Sequence, residues 1–152
     1  MFNLFKKQQV ELVEHQYKNL VIPLPANWKY ELEKGDLEAC FDLKSQSTLR
    51  LHVMKAVPPK DKTSEENIKS LTGNQSCTTT LKGYLLTKPT YSDTTESGIN
   101  ITLVTWKLIN PTGDEKIIAA VTYTVLSEEK DSEQEKGMIA MIESSLNNSE
   151  LG

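Results

Sequence analysis

The stretch from Ile99 to Leu126 constrains this chain most, because two long apolar runs flank Asn110-Pro111-Thr112-Gly113-Asp114, a segment rich in turn formers. Strict alternation along a run sends successive side chains to opposite faces of a strand. Ile117, Ala119, Val121, Tyr123 and Val125 alternate in this way with Ile118, Ala120, Thr122, Thr124 and Leu126, which predicts the longest regular strand of the chain. The second set is itself partly apolar, so the strand is expected to be central, with material packed on both sides. In the run before the turn, Ile99, Ile101 and Leu103 share one face, whereas Val104, Trp106 and Leu108 share the other. Either a bulge near Leu103-Val104 resets the register, or both faces are partly covered.

The remaining elements follow from similar patterns. Leu20, Ile22 and Leu24 alternate with Val21 and Pro23, a strand that closes at Pro25 because proline has no N–H to give a ladder. Trp28 and Tyr30 open the next extended piece, and Lys34-Gly35-Asp36 turns it into a strand over 37–43. There Leu37, Ala39, Phe41 and Leu43 are expected on one face, with Glu38, Cys40 and Asp42 on the other. Lys44-Ser45-Gln46-Ser47 returns the chain as a hairpin into a strand over 48–57, which sets Leu49, Leu51 and Val53 against Arg50, His52 and Met54 before Pro58-Pro59 stops it. Thr63 and Glu66 have the spacing of a capping box, which starts a short helix through Ile68 and Leu71 to Gly73-Asn74. Thr78-Thr79-Thr80 favours extended structure, Leu81 to Leu86 reads equally as strand or loop, and Tyr91 to Thr95 extends the sheet before Glu96-Ser97-Gly98 turns the chain. Ser132 and Glu135 repeat the capping-box spacing, and Met138, Ile139, Ile142 and Leu146 recur at intervals of three and four, the stripe of a helix lying on a sheet.

Assembled in order, the elements predict an α+β fold, an antiparallel β-sheet of about six strands packed with helices. One domain is expected over 16–148, with tails at 1–15 and 149–152. Apolar residues at 38% and charged residues at 25% suit a soluble globular chain. A net charge of −4, from 17 basic and 21 acidic residues, supplies no basic stripe of the kind nucleic acid requires. The first residues, Met1 to Lys7, place their apolar members before the lysines, the reverse of a secretory signal, so a cytoplasmic location is expected. Phe2, Leu4 and Phe5 with Lys6 and Lys7 form at most a small foot, too little area for lasting attachment to a membrane. No apolar run approaches the roughly 20 residues of a spanning helix.

Chemistry is sparse in the sequence, which holds no catalytic motif and no phosphate loop, and no cofactor is expected. Cys40 and Cys77 form no CxxC pair and lie near no paired histidine, which argues against a metal centre. Glu38 and Asp42 flank Cys40, and their charge disfavours a thiolate, so it makes a poor nucleophile. His15 sits in the polar stretch Val13-Glu14-His15-Gln16 and is expected to be solvated. His52 stands between Arg50 and Met54 without a visible partner to tune it as an acid or base. The acidic residues Glu65, Glu66, Glu128, Glu129, Glu133 and Glu135 cluster at helix starts, where they complement the positive end of the helix dipole.

The opening Leu20-Val21-Ile22-Pro23-Leu24-Pro25-Ala26-Asn27-Trp28 resembles the start of the PsbP-like and Mog-like α/β/α sandwich proteins. So do Trp106, the turn after it, Val121-Thr122-Tyr123 and Ile142-Glu143-Ser144-Ser145-Leu146. The resemblance implies a scaffold for binding, since such proteins include photosystem accessory subunits, a Ran-binding import factor, envelope lipoproteins and cytoplasmic chaperones of secreted effectors. No motif carries metal or Ran contacts over to particular residues of this chain.

The expected function is therefore a non-enzymatic protein-binding module, of chaperone, adaptor or immunity type. Its partner is a protein, such as a neighbouring gene would encode, or a second copy of the chain. The expected binding face carries Arg50, His52, Met54, Val104 and Ile118, with Trp106, Leu108 and Ala120 adding apolar area to it. The alternative is a small apolar ligand or lipid, held between the sheet and the last helix near Met138, Met141 and Ile142. Trp106, four residues before the turn, is expected to be a buried core residue rather than an exposed anchor.

Overall fold

The computed structural model describes residues 11–152. The expected foot at Phe2, Leu4, Phe5, Lys6 and Lys7 lies outside them. The described strands are β1 (Leu12–Tyr17), β2 (Leu20–Pro25), β3 (Lys29–Glu33), β4 (Leu37–Phe41), β5 (Thr48–Ala56), β6 (Cys77–Thr79), β7 (Leu85–Thr87), β8 (Thr90–Glu96), β9 (Ile99–Asn110), β10 (Lys116–Leu126) and β11 (Glu150–Leu151). Helix α1 spans Ser64–Thr72 and α2 spans Glu133–Asn147.

Strands β9 and β10 pair antiparallel without interruption from Asn110↔Ile117 to Ile101↔Leu126. The ladder has no bulge at Leu103-Val104, so partial cover on both faces explains the two-sided pattern. The connection also fixes parity: even-numbered residues of β9 stand opposite odd-numbered residues of β10, as in Trp106↔Val121 and Val104↔Tyr123. Val104, Trp106 and Leu108 therefore share a face with Ala119, Val121 and Tyr123. They do not share one with Ile118 and Ala120, contrary to expectation. A slip of one residue in register turns every side chain over, and the length of the turn decides which register holds.

The large sheet runs β3-β4-β5-β10-β9-β7-β6, with β8 on the same edge of β9 as β7 but further along it. A second sheet of three strands runs β1-β2-β11. The α+β class stands, but eight strands plus three exceed the six expected, because β6 and β7 have only three residues each and β11 only two. Strand pairing also extends outside residues 16–148. β1 takes in residues 12–15, where Leu12, Val13 and Glu14 are all exposed and no alternation betrays a strand. At the other end Glu150 and Leu151 pair with β2, and Leu151 is fully buried.

The core fills the space between the first face of the large sheet and the small sheet with α2. Leu49, Leu51, Val104, Trp106, Leu108, Ala119 and Val121 line one side. Leu20, Ile22, Leu24, Ile142, Leu146 and Leu151 line the other. Met138 and Met141, partly buried, pack against this core beside Ile142. The alternation expected for β4 stands, and the face it turns to the core is that of Cys40. Cys40 pairs with Leu49 and is fully buried on the core face, whereas Ala39 pairs with Arg50 on the second face. Leu43 lies beyond the strand and is exposed.

Both helices start as their caps predict. Thr63 Oγ1 accepts the Glu66 backbone N–H at 3.1 Å, Glu66 Oε1 accepts the Thr63 N–H at 3.3 Å, and Gly73 ends α1 in the left-handed region at φ 65°. At α2, Ser132 Oγ accepts the Glu135 N–H at 3.2 Å. The Glu135 side chain does not reach back as in a full box. It is buried, accepting from Tyr123 OH at 2.8 Å and from Ser47 Oγ, and so ties the first turn of α2 to β10 and to the loop before β5. Burial is the main cause that pushes the Tyr123 phenol up, and the Glu135 carboxylate adds to it.

Trp106 is fully buried at the centre of β9, as expected, and its Nε1 has no hydrogen-bond partner among the described residues. Trp106→Ala should cost about 3–5 kcal/mol, read as a lowered urea midpoint at unchanged slope. Glu135→Ala should cost about 1–3 kcal/mol by stranding the Tyr123 hydroxyl, and Tyr123→Phe made on that background should cost much less than Tyr123→Phe alone. Additive losses in the same melts would refute the link.

Candidate functional site

The second face of the large sheet is built by period-two placement across four neighbouring strands. β5 contributes Arg50, His52 and Met54. β10 contributes Ile118, Ala120 and Thr122 directly opposite them, through the pairs Met54↔Ile118, His52↔Ala120 and Arg50↔Thr122, with Thr124 next along the same face opposite Thr48. β9 adds Leu103 and β4 adds Leu37. Four of the five residues expected on the binding face are thus brought together. Val104 is the exception: it is fully buried on the opposite face, a consequence of the parity across the β9–β10 turn.

Helix α1 lies on this second face, but only at one end. Lys107 Nζ donates to the Leu71 carbonyl at 3.3 Å, and Ile109 and Ile118 are buried at that end. The middle of the face holds a groove of about 490 Å³, lined by Leu37, Arg50, His52, Glu96, Leu103, Ala120, Thr122 and Thr124. Its floor is therefore neutral and small at Ala120, Thr122 and Thr124, with apolar walls at Leu37 and Leu103 and charge at Arg50 and Glu96. The Arg50 guanidinium is held in place by Glu33, Nε to Oε1 at 2.8 Å, and reaches Thr124 Oγ1 at 3.4 Å. His52, opposite Ala120 in the ladder, lines the groove and stands on β5 between Arg50 and the exposed Met54.

A second cluster forms where β1 meets the β3–β4 hairpin. His15 is not solvated as its polar neighbours suggest. Its ring stacks on Tyr30, with centroids 3.7 Å apart and planes 8° from parallel, and its Nε2 bonds to the Glu38 carboxylate. Cys40 Sγ donates to Glu38 Oε1 at 3.8 Å. Nearby, Tyr17 OH donates to the Asp36 carbonyl and Lys18 pairs with the Asp36 side chain, so three side chains of the β1–β2 hairpin grip the β3–β4 hairpin. These residues are about twenty positions apart in sequence, and only the docking of one sheet on the other joins them.

Burial pushes the Cys40 thiol up, and the Glu38 carboxylate beside it, by charge and by hydrogen bond, pushes it further. That agrees with the argument against a nucleophile, although the larger cause is burial rather than flanking charge. Tyr30 is pushed up to about 12, first by burial, then by the charges of Cys40 and Glu38.

No protein family and no curated protein sequence matches the chain. Solved structures do. LpqN of Mycobacterium tuberculosis, involved in cell envelope biogenesis, superposes with a TM-score of 0.58 at 11% identity over 99% of this chain and 96% of that one. The Ran-binding protein Mog1p of Saccharomyces cerevisiae gives 0.54 at 7% identity over 94% and 96%. The chain has the PsbP-like and Mog-like sandwich fold. A Bacteroides thetaiotaomicron protein gives 0.57 at 14% identity, and there the match covers 95% of this chain but 49% of the other, so this fold occupies about half of that longer protein. At such identities the likeness extends to the fold and not to the activity. Among the described residues no helix is long and apolar enough to cross a membrane.

The Tyr30 phenol sets an alkaline limit. A phenol whose pKa rises on folding favours the folded state while protonated, so its contribution is complete below about pH 10 and lost as pH climbs through about 12. Urea midpoints should therefore fall across that window, and Tyr30→Phe should flatten the fall. An equally steep loss in Tyr30→Phe would assign it elsewhere.

Proposed function

We propose that this protein is a non-catalytic binding module that holds an extended segment of a protein partner in the groove of its second sheet face. The observation that carries the reading is that α1 covers one end of this face and leaves the groove over Ala120 and Thr122 open. A small, neutral floor with apolar walls and a fixed guanidinium suits a polypeptide, whose backbone needs close approach and whose side chains need both apolar and charged contacts. Mog1p, which shares the fold, is a Ran-binding protein, and this supports a protein as the class of partner. The absence of catalysis is part of the proposal: Arg50 is committed to Glu33, and the Cys40 thiol is fully buried. In this reading the partner is the product of a neighbouring gene and meets the protein in the cytoplasm.

Ala120→Arg tests it by filling the groove from its floor. Proteins captured by the parent from its native host would be identified, purified and titrated against both forms. Binding should weaken at least tenfold, with the melting midpoint within a few degrees of the parent's. A partner that binds Ala120→Arg as well as the parent would remove the groove from the reading. A parent that light scattering shows to be a dimer, and that Ala120→Arg makes monomeric, would assign the face to a second copy instead.

A further inference from the structure

We propose that His15, Glu38 and Cys40 form a binding site for a zinc ion that fastens the small sheet to the large one. The imidazole nitrogen, the carboxylate oxygen and the thiol sulfur all lie within 4.8 Å of one another. Zinc bonds of about 2.0–2.3 Å in a tetrahedron set ligand atoms roughly 3.3–3.6 Å apart. Cys40 Sγ and Glu38 Oε1, 3.8 Å apart, already stand near that spacing. The His15 ring and the Glu38 carboxylate touch directly and must separate to admit the ion, which rotation of the Glu38 side chain would allow while the stacked His15 ring stays in place.

The donor set of one nitrogen, one oxygen and one sulfur favours zinc over calcium or magnesium, which take oxygen ligands. Three further features suit an ion. Tyr30 stacks on the His15 ring and fixes its orientation. The His15 and Glu38 side chains are 15% and 13% exposed, enough to leave the fourth position to water while most of the site is dry. Glu38 and Cys40 come from β4 of the large sheet and His15 from β1 of the small one, so the ion would bridge two elements that do not pair with each other. On binding, the Cys40 S–H bond is exchanged for a sulfur–zinc bond and the proton leaves to water, while the imidazole binds neutral and no oxidation state changes.

The test titrates zinc chloride into the chelator-treated full chain by calorimetry. One ion per chain, a micromolar or tighter dissociation constant and a melting midpoint raised by several degrees are expected. Cobalt(II) in place of zinc should give a thiolate-to-metal charge-transfer band that Cys40→Ser abolishes and Cys77→Ser retains. His15→Gln, at a half-buried position, should keep the fold by circular dichroism and weaken zinc at least about tenfold. If Cys40→Ser does not fold, the His15→Gln titration decides alone. No zinc heat and no thermal shift, a cobalt complex without the thiolate band, loss of that band in Cys77→Ser, or undiminished affinity in His15→Gln would each overturn the proposal. The outcome is independent of whether the groove on the other face binds a protein.

Discussion

The uninterrupted pairing of β9 with β10 is the constraint on which the rest of the structure depends. Ten consecutive residue pairs fix which side chains face the core, and every other strand of the large sheet is referred to that ladder. β5 takes its register from β10, and β7 and β8 take theirs from the far edge of β9. The buried row Leu51, Val121, Trp106 crosses the three central strands at a single level, with Leu49, Tyr123, Val104 on one side of it and Val53, Ala119, Leu108 on the other. Cross-strand rows of this kind are the unit of stabilisation in a sheet, and here they double as the floor of the core.

Legibility of the fold in the sequence followed the amount of apolar contrast in each element. β2, β5 and β10 alternate clearly and stand where the pattern puts them, and the two capped helices do too. β1 and β11 were invisible because a short edge strand with exposed Leu12, Val13 and Glu14 carries no contrast, and its pairing with β2 is specified by backbone groups rather than by side chains. β4 alternates as its pattern predicts, but which of its faces meets the core is not legible in it, because Leu37 and Phe41 outweigh Cys40 in hydrophobicity. Tertiary docking overrides that balance by covering the Cys40 face with the small sheet. A weak local pattern yields to packing when the two disagree.

The candidate site shows the same division. Arg50, His52, Met54 and Ile118 could be grouped because alternation within a strand is local. Val104 could not, because its face depends on the connection between Asn110 and Ile117, whose length sets the parity of the whole ladder. The cluster of His15, Tyr30, Glu38 and Cys40 was beyond reach of any spacing rule, since its members come from three strands in two sheets. Glu135 was legible as a cap residue by its position. Its role as the buried acceptor of Ser47 and Tyr123 needed the fold, which brings a residue 88 positions away against the helix start.

Trp106 also gives the molecule an internal lamp. Its indole is fully buried in the core, and its N–H meets no acceptor among the described residues, so its excited state lacks both water and a hydrogen-bond partner to relax against. Trp28, the other indole, lies nearer the edge of the core. The emission of the intact protein is thus weighted to the blue by a residue in the central ladder. Any loosening of β9 from β10 that lets water reach that ring would change the colour of the light before the chain as a whole comes apart.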